Sequence, residues 1–469
     1  MKEKLAAFIY KDYYIYTIFA LTYISWLFGF INTNLPAIGL IVITAFGGYI
    51  LLTKKDTTPL IPIVCSCLFV VNGKMSYDAW PWWIIAIPSF LVIFLIIYLF
   101  KNKIQNKKSP ILIGLIILGI ASILPLIQAC FTGDINRFDF LKIFLSLGAF
   151  LYVFVFFFFN NTIIGDNKEY LGKTILSLGV LIGLQLFTKY IEIGDFQYAY
   201  SHKEAMDLGW GIGNDAAIYL NMAICMGSYF LTKTKNIKEL LASIAILGFL
   251  ILSLLFTWSR TALLSLGIMA IPLLIFILKN SQYKKQIIIL LASFFFLFIL
   301  VGIIKPSLVF EPILNMLSKG VSLSGRTYLY DFAIELFKKF PIFGATSFPD
   351  VPLEVMQNAG IETNRIVVFH SIFFQTIATM GIIGLLALIF HLFQIIRLLS
   401  KNITTIRIFM IIMIIESFIQ STVDNVYFMV VFMVLFMIIL SVIERGDDDF
   451  NKMKIEKKEE DDIIGKETL

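Results

Sequence analysis

The sequence predicts an all-α polytopic membrane protein with about 12–14 transmembrane helices and one large extracytoplasmic loop carrying an amphipathic helix. Three observations predict it. Of the 469 residues, 59% are hydrophobic and only 15% charged, against roughly 45–50% and about 25% in soluble domains. Apolar runs of about 17–25 residues, each long enough to cross hydrocarbon, recur from end to end. The alternating segments of about 10 residues that mark a membrane barrel do not occur.

Fourteen candidate spans fall near 13–31, 36–52, 59–72, 80–100, 111–130, 141–160, 171–188, 214–232, 240–257, 259–278, 286–304, 370–399, 403–420 and 424–443. The third is short and bounded by Pro59, Pro62 and Asn72. The ninth and tenth are parted only at about Trp258, because nearly 40 residues are too many for one ordinary span. The segment before the first span is charged, and no small-residue cleavage site follows, so that span reads as retained. With the N-terminus in the cytoplasm, 26 of the 38 Lys+Arg fall on the inside. Setting aside the long loop and the tail, the ratio is 20 to 6. This asymmetry predicts an even number of spans with both termini cytoplasmic. Residues 1–443 read as one membrane domain and 444–469 as a charged, solvated cytoplasmic tail with ten acidic and six basic residues.

The net charge of +6 lies between spans, so it does not point to nucleic acid. Cys65, Cys67, Cys130 and Cys225 sit in or beside apolar runs and form neither a zinc spacing nor a disulfide framework. The loop 305–369 is long, and long loops in compact proteins carry function or disorder. Within it, Leu329, Phe332, Ala333, Leu336, Phe337 and Phe340 share one helical face. Ser324-Gly325 and Pro341 bound that helix. It suits either the membrane interface or a lid over the helix ends.

Chemistry is expected where polar groups meet the outer boundary. Ser259-Arg260 falls at the start of the tenth span, where a guanidinium and free backbone N–H groups can hold phosphate. Arg326 repeats that coincidence at the start of the loop helix. His370 opens the twelfth span, with Ser371 and Gln375 on nearby faces. Asp424 stands at the outer boundary beside Asn425 and Tyr427. His202 is the other outer histidine, and His391 lies deeper and reads as packing. No Asp-x-Asp or His-x-x-x-His spacing demands a metal, so none is expected. Gly209-x-Gly211-x-Gly213 lacks the strand and Gly-Lys-Ser/Thr of a nucleotide loop.

Four segments in order resemble the O-antigen ligase and polysaccharide polymerase superfamily, most strongly over about 210–400. They are Gly213-Asn214-Asp215 with Tyr219-Leu220; Leu254 to Leu264 around Ser259-Arg260; Ser324-Gly325-Arg326-x-x-x-Tyr330 followed by Glu335 to Gly344; and His370-Ser371-Ile372-Phe373-Phe374-Gln375 with Ala378, Gly381 and Gly384. The resemblance implies a glycosyltransferase of the bacterial plasma membrane that uses an undecaprenyl pyrophosphate-linked glycan outside the cytoplasm, with no metal, nucleotide or other cofactor. It implies that Arg260 holds the pyrophosphate, Arg326 adds a phosphate contact, and His370 orients or deprotonates the acceptor. Ser259, Ser371 and Asp424 are further candidate binding residues. The acceptor is another carrier-linked glycan for a polymerase, the slightly favoured reading, or lipid A-core or protein for a ligase. A flippase and a chain-length regulator are candidate partners. Transport of the lipid-linked glycan is the competing reading. It calls for charges deep in several spans and repeat symmetry, whereas the candidate charges cluster on one side. A non-enzymatic scaffold rests only on the acidic tail.

The topology has a direct test. In a background with the four native cysteines replaced by serine, a membrane-impermeant thiol reagent on intact cells should label a cysteine placed at Lys319 and leave one at Lys235 unlabelled.

Overall fold

The structure is a computed structural model that describes residues 7–72, 81–102, 104, 107–132, 140–195, 198–199, 203–305, 327–345, 369–424 and 426–447. His202, Ser324, Gly325, Arg326 and Asn425 lie outside these residues. Among the described residues the chain is helical and contains no strand. In chain order the helices are α1 (Asp12–Phe28), α2 (Pro36–Thr53), α3 (Leu60–Ser66), α4 (Trp83–Lys101), α5 (Pro110–Thr132), α6 (Phe140–Thr162), α7 (Lys168–Ile193), α8 (Gly213–Thr232), α9 (Ile237–Phe256), α10 (Arg260–Asn280), α11 (Lys284–Ile304), α12 (Thr327–Lys339), α13 (Ile372–Leu399), α14 (Thr405–Val423) and α15 (430–447). Among the described residues, eight helices are long and apolar enough to cross a membrane: α2, α4, α5, α7, α9, α10, α13 and α14.

The third expected span is not a full-length helix. It is seven residues of α3 and a four-residue 3-10 turn, Cys67–Val70. The segment still runs the length of α1. At one end Tyr14 Oη donates to Pro59 O (3.0 Å), and at the other Asn72 Nδ2 donates to Trp26 O (3.0 Å). Long-range bonds fix the direction of the neighbours in the same way. Trp83 Nε1 donates to Asn34 Oδ1 and, at the far end of α4, Tyr98 Oη donates to Lys55 O. The ion pair Lys173–Asp12 (2.7 Å) joins the start of α7 to the start of α1. Arg407 pairs with Asp447, and Arg445 Nε donates to Ile163 O (3.1 Å) just before α7. Asp12 and Asp447 therefore stand at the same end of the bundle, here the Asp12 end. The last helix begins later than the predicted 424–443 and continues through Asp447, past the predicted start of the tail; 448–469 lie outside the described residues.

The centre of the bundle is α8. It packs against α7, α9, α10 and α14 and is buried along nearly its whole length. Small residues permit this. A Cβ on Gly179 of α7 would lie 2.2 Å from Ala223 Cβ, and one on Gly172 would lie 2.7 Å from Met226 Cε. Close backbone approach of this kind is how helices associate where lipid is as apolar as the side chains.

The longest helix, α13, has 28 residues and is broken at Gly381 (φ 62, ψ −158). That conformation is essentially restricted to glycine. The segment 341–345 answers the break. Ile382 N donates to Pro341 O (2.9 Å), Ile383 N to Ile342 O (3.2 Å), and Ala345 N to Ala378 O (3.0 Å). Gly344, itself left-handed at φ +87, comes so close to α13 that a Cβ there would lie 2.2 Å from Thr379 O.

The amphipathic helix α12 precedes this strap. It lays Leu329, Ala333 and Leu336 against Phe369, Phe374 and Ala378 at the start of α13, so the lid arrangement holds.

Gly381→Ala should destabilise the protein by about 1–3 kcal/mol from backbone strain alone, and by more because its Cβ would stand 2.6 Å from Ile342 O. Gly248→Ala on α9, whose Cβ would meet nothing within 4 Å, should be neutral or stabilising. Thermal unfolding in detergent checks both.

Candidate functional site

The break at Gly381 decides where His370 goes. From the α13–α14 turn, the residues after Gly381 match the 19 residues of α14 in length. A straight α13 would carry His370 about 16 Å beyond the end of α14. Instead His370 Nδ1 is 2.9 Å from Asp424 Oδ1, at the C-cap of α14. The first turns of α13 are therefore folded across the bundle end. An ionised carboxylate can only accept, so this contact places a proton on Nδ1, and in the neutral imidazole Nε2 is then the acceptor. The His370 side chain is 35% exposed and that of Asp424 13%, so the pair is oriented by protein and reachable from outside it.

Several groups fix the backbone here. His370 is left-handed (φ 49), an arrangement that costs a non-glycine residue about 1–3 kcal/mol and persists where its surroundings enforce it. Phe369 N donates to Gln375 Oε1 (2.9 Å). Tyr330 of α12 stacks on Phe374 with ring centroids 4.2 Å apart, and its Oη is 3.4 Å from His370 O. The loop helix thus reaches the histidine directly.

The α9–α10 junction belongs to the same end of the bundle. Trp258 is also left-handed (φ 54). Its Nε1 donates to Tyr190 Oη (2.8 Å), which donates in turn to Phe256 O (2.8 Å). Ser259 is the buried N-cap of α10, and Arg260 is its exposed first residue. A Cβ on Gly213, the first residue of α8, would lie 2.7 Å from Thr257 O, so α8 and α10 start side by side. Asp215, in the first turn of α8, accepts from Ile212 N (2.9 Å). Its carboxylate lies within electrostatic reach of Asp424, Asp207 and His370.

The structure thus brings His370 and Asp424 into contact and sets Ser371, buried at the N-cap of α13, beside them. It puts Ser259 and Arg260 at the same bundle end through α8. Arg326 falls outside the described residues, one position before α12. His391 is fully buried. Asp215 and Tyr330 are the additions: both stood in motifs quoted above, but neither was named as a site residue. A carboxylate in a helix's first turn reads as a cap, which Asp215 also is, and a tyrosine on an amphipathic face reads as packing. Among the described residues, no group of three or more His, Cys, Asp or Glu side chains is arranged to hold a metal ion.

Residues 244–389 match the family model described as O-antigen ligase. The match runs from α9 to α13 and takes in Ser259, Arg260, Arg326, His370 and Ser371. It supports the O-antigen ligase and polymerase superfamily for this chain and, in general terms, glycan transfer of that type. No curated protein matches the chain.

If the carboxylate holds the imidazole tautomer, Asp424→Asn should leave the fold intact and lower transfer about 10²-fold or more. Turnover checks the rate, and nitrogen NMR of the imidazole should show the Nδ1–H form depleted.

Proposed function

We propose that this O-antigen ligase-family membrane protein moves glycan from an undecaprenyl pyrophosphate carrier to an acceptor hydroxyl at the extracytoplasmic face of the bacterial plasma membrane. The His370–Asp424 pair carries the reading, because it is a proton acceptor oriented and left open at the bundle end where Arg260 also stands. The acceptor oxygen attacks the anomeric carbon, and the bond from that carbon to the pyrophosphate oxygen breaks. The acceptor's proton passes to His370 Nε2 while Asp424 keeps the Nδ1 proton in place. The electron pair leaves with the pyrophosphate. Fixed cations are worth most where such charge develops, and Arg260, with Arg326, supplies them. The reaction written this way uses no metal and no nucleotide.

The favoured reaction is polymerisation, in which the acceptor is a second carrier-linked glycan. The family match supports the second reading, transfer to lipid A-core or protein, equally well. The two share all the donor chemistry. The basic connections of the Asp12 end support placing that end in the cytoplasm and the His370 end outside. A flippase that delivers the carrier-linked unit and a regulator of chain length are the protein partners this reaction calls for.

Purified protein given carrier-linked repeat units from the host, without added metal or nucleotide, should produce a ladder of lengthening glycans on gels and by mass spectrometry. Arg260→Ala and His370→Ala should abolish it. Transfer only after lipid A-core or a protein acceptor is added establishes the ligase instead. Donor left intact in every mixture, with folded protein and authentic substrate, rejects glycan transfer in favour of transport.

A further inference from the structure

A second polar cluster lies inside the bundle, away from the groups used above. Asn221 Nδ2 of α8 donates to Glu416 Oε1 of α14 (2.5 Å) and to Ala262 O of α10 (3.1 Å). Ser265 Oγ of α10 donates to the same Glu416 oxygen (2.6 Å). Asn221, Ser265 and Glu416 are fully buried. Such groups in a membrane bundle have no water to turn to, so each depends on the others. The three helices they join are those whose ends carry Asp215, Arg260 and Asp424. Along α8, Asp215 stands six residues from Asn221, about 9 Å. Arg260 stands five residues from Ser265, about 7.5 Å, and Asp424 eight residues from Glu416, about 12 Å. Glu416, Gln420 and Asp424 share one face of α14 by their spacing of four. Asp424 N donates to Gln420 O (2.8 Å), which carries the helical register to the cap.

We propose that Glu416, held by Asn221 and Ser265, is a positioning residue that sets the mutual height and rotation of α8, α10 and α14. A slip of one residue on any of them moves its end group about 1.5 Å and turns it about 100°. Misplacement on the scale of 1 Å costs about 10²-fold in rate. The inference rests on the reaction proposed above, and its test separates the two.

Glu416→Gln keeps an oxygen that accepts both hydrogen bonds, and Glu416→Leu removes it at similar volume. Each is compared with wild type for kcat and KM on carrier-linked donor. In parallel, spin labels at the exposed positions Leu264 and Thr422 report the separation of α10 and α14. Glu416→Gln should stay within about threefold of wild type in kcat, with an unchanged distance. Glu416→Leu should remain folded, lose about tenfold to 10²-fold in kcat with KM within about twofold, and show a shifted or broadened distance. Combining it with Asn221→Leu should cost less than the sum of the two single changes, because each already removes the Asn221–Glu416 hydrogen bond. Should Glu416→Leu fail to fold, Ser265→Ala carries the same measurements, with a smaller kcat loss expected.

Wild-type kcat and distance in a folded Glu416→Leu protein would overturn the proposal. So would Glu416→Gln as slow as Glu416→Leu, which would assign Glu416 a chemical role, or a change confined to KM. If wild type transfers no glycan at all, the proposed reaction fails, and the spin-label distances alone decide the lock.

Discussion

A helix that breaks inside or at the edge of hydrocarbon must find new partners for the backbone groups it frees, because lipid offers none. At Gly381 those partners are Pro341 O, Ile342 O and Ala345 N. That one requirement orders much of the rest. It pins the strap 341–345 to α13, and the strap follows α12 by only a few residues, so the amphipathic helix is held over the bundle end. It lets the first turns of α13 fold across that end and bring His370 back to the level of Asp424. It also explains two glycines at once. Gly381 needs its φ of 62, and Gly344 must pass within contact of the Thr379 carbonyl. Neither position has room for a side chain.

The two left-handed non-glycine residues nearest the site extend this logic. Trp258 and His370 occupy the junctions that launch α10 and α13. Each is restrained by aromatic groups from a different part of the chain: Tyr190 bonds the Trp258 indole, and Tyr330 stacks beside His370 on Phe374. Strain held by distant groups makes the local geometry depend on the whole fold. A flexible turn at either place would leave the direction of Arg260 or His370 unfixed.

Much of the helical framework was legible because hydrocarbon imposes a length and a composition on every crossing. The split at Trp258, the start of α10 at Arg260 and the apolar face of α12 followed from spacing alone. Segment 59–72 was harder to read. Its prolines shorten the helix, and what aligns it with α1 is a pair of hydrogen bonds 45 and 46 residues away. Asp424 and His370 were each legible as polar groups at a boundary. Their contact was not, because it requires the Gly381 break, and a glycine in an apolar run reads as easily as close packing. The link from Asn221 to Glu416 spans 195 residues, and no local period encodes such a pairing.

The distribution of charge around His370 constrains how a substrate with a pyrophosphate could lie. Asp424 touches the imidazole, Asp215 stands within electrostatic reach of both, and Asp207 stands within reach of Asp215. Phosphate oxygens brought against the ionised Asp424 carboxylate would meet like charge in surroundings poorer in water than bulk solvent, where repulsion is stronger. The start of α10 offers the reverse, with the Arg260 guanidinium and the positive end of a helix dipole. Under the proposed reaction the leaving group therefore belongs on the α10 side, and the acceptor hydroxyl on the side of α13 and α14. The anomeric carbon then sits between them, along the line that joins Arg260 to His370. In that orientation the Asp424 carboxylate would stand on the acceptor side, where a hydroxyl can donate to it, and would disfavour the pyrophosphate binding in reverse. Such an arrangement discriminates by repulsion as well as by attraction, and it needs the ends of α8, α10, α13 and α14 held at fixed heights for both to operate at once.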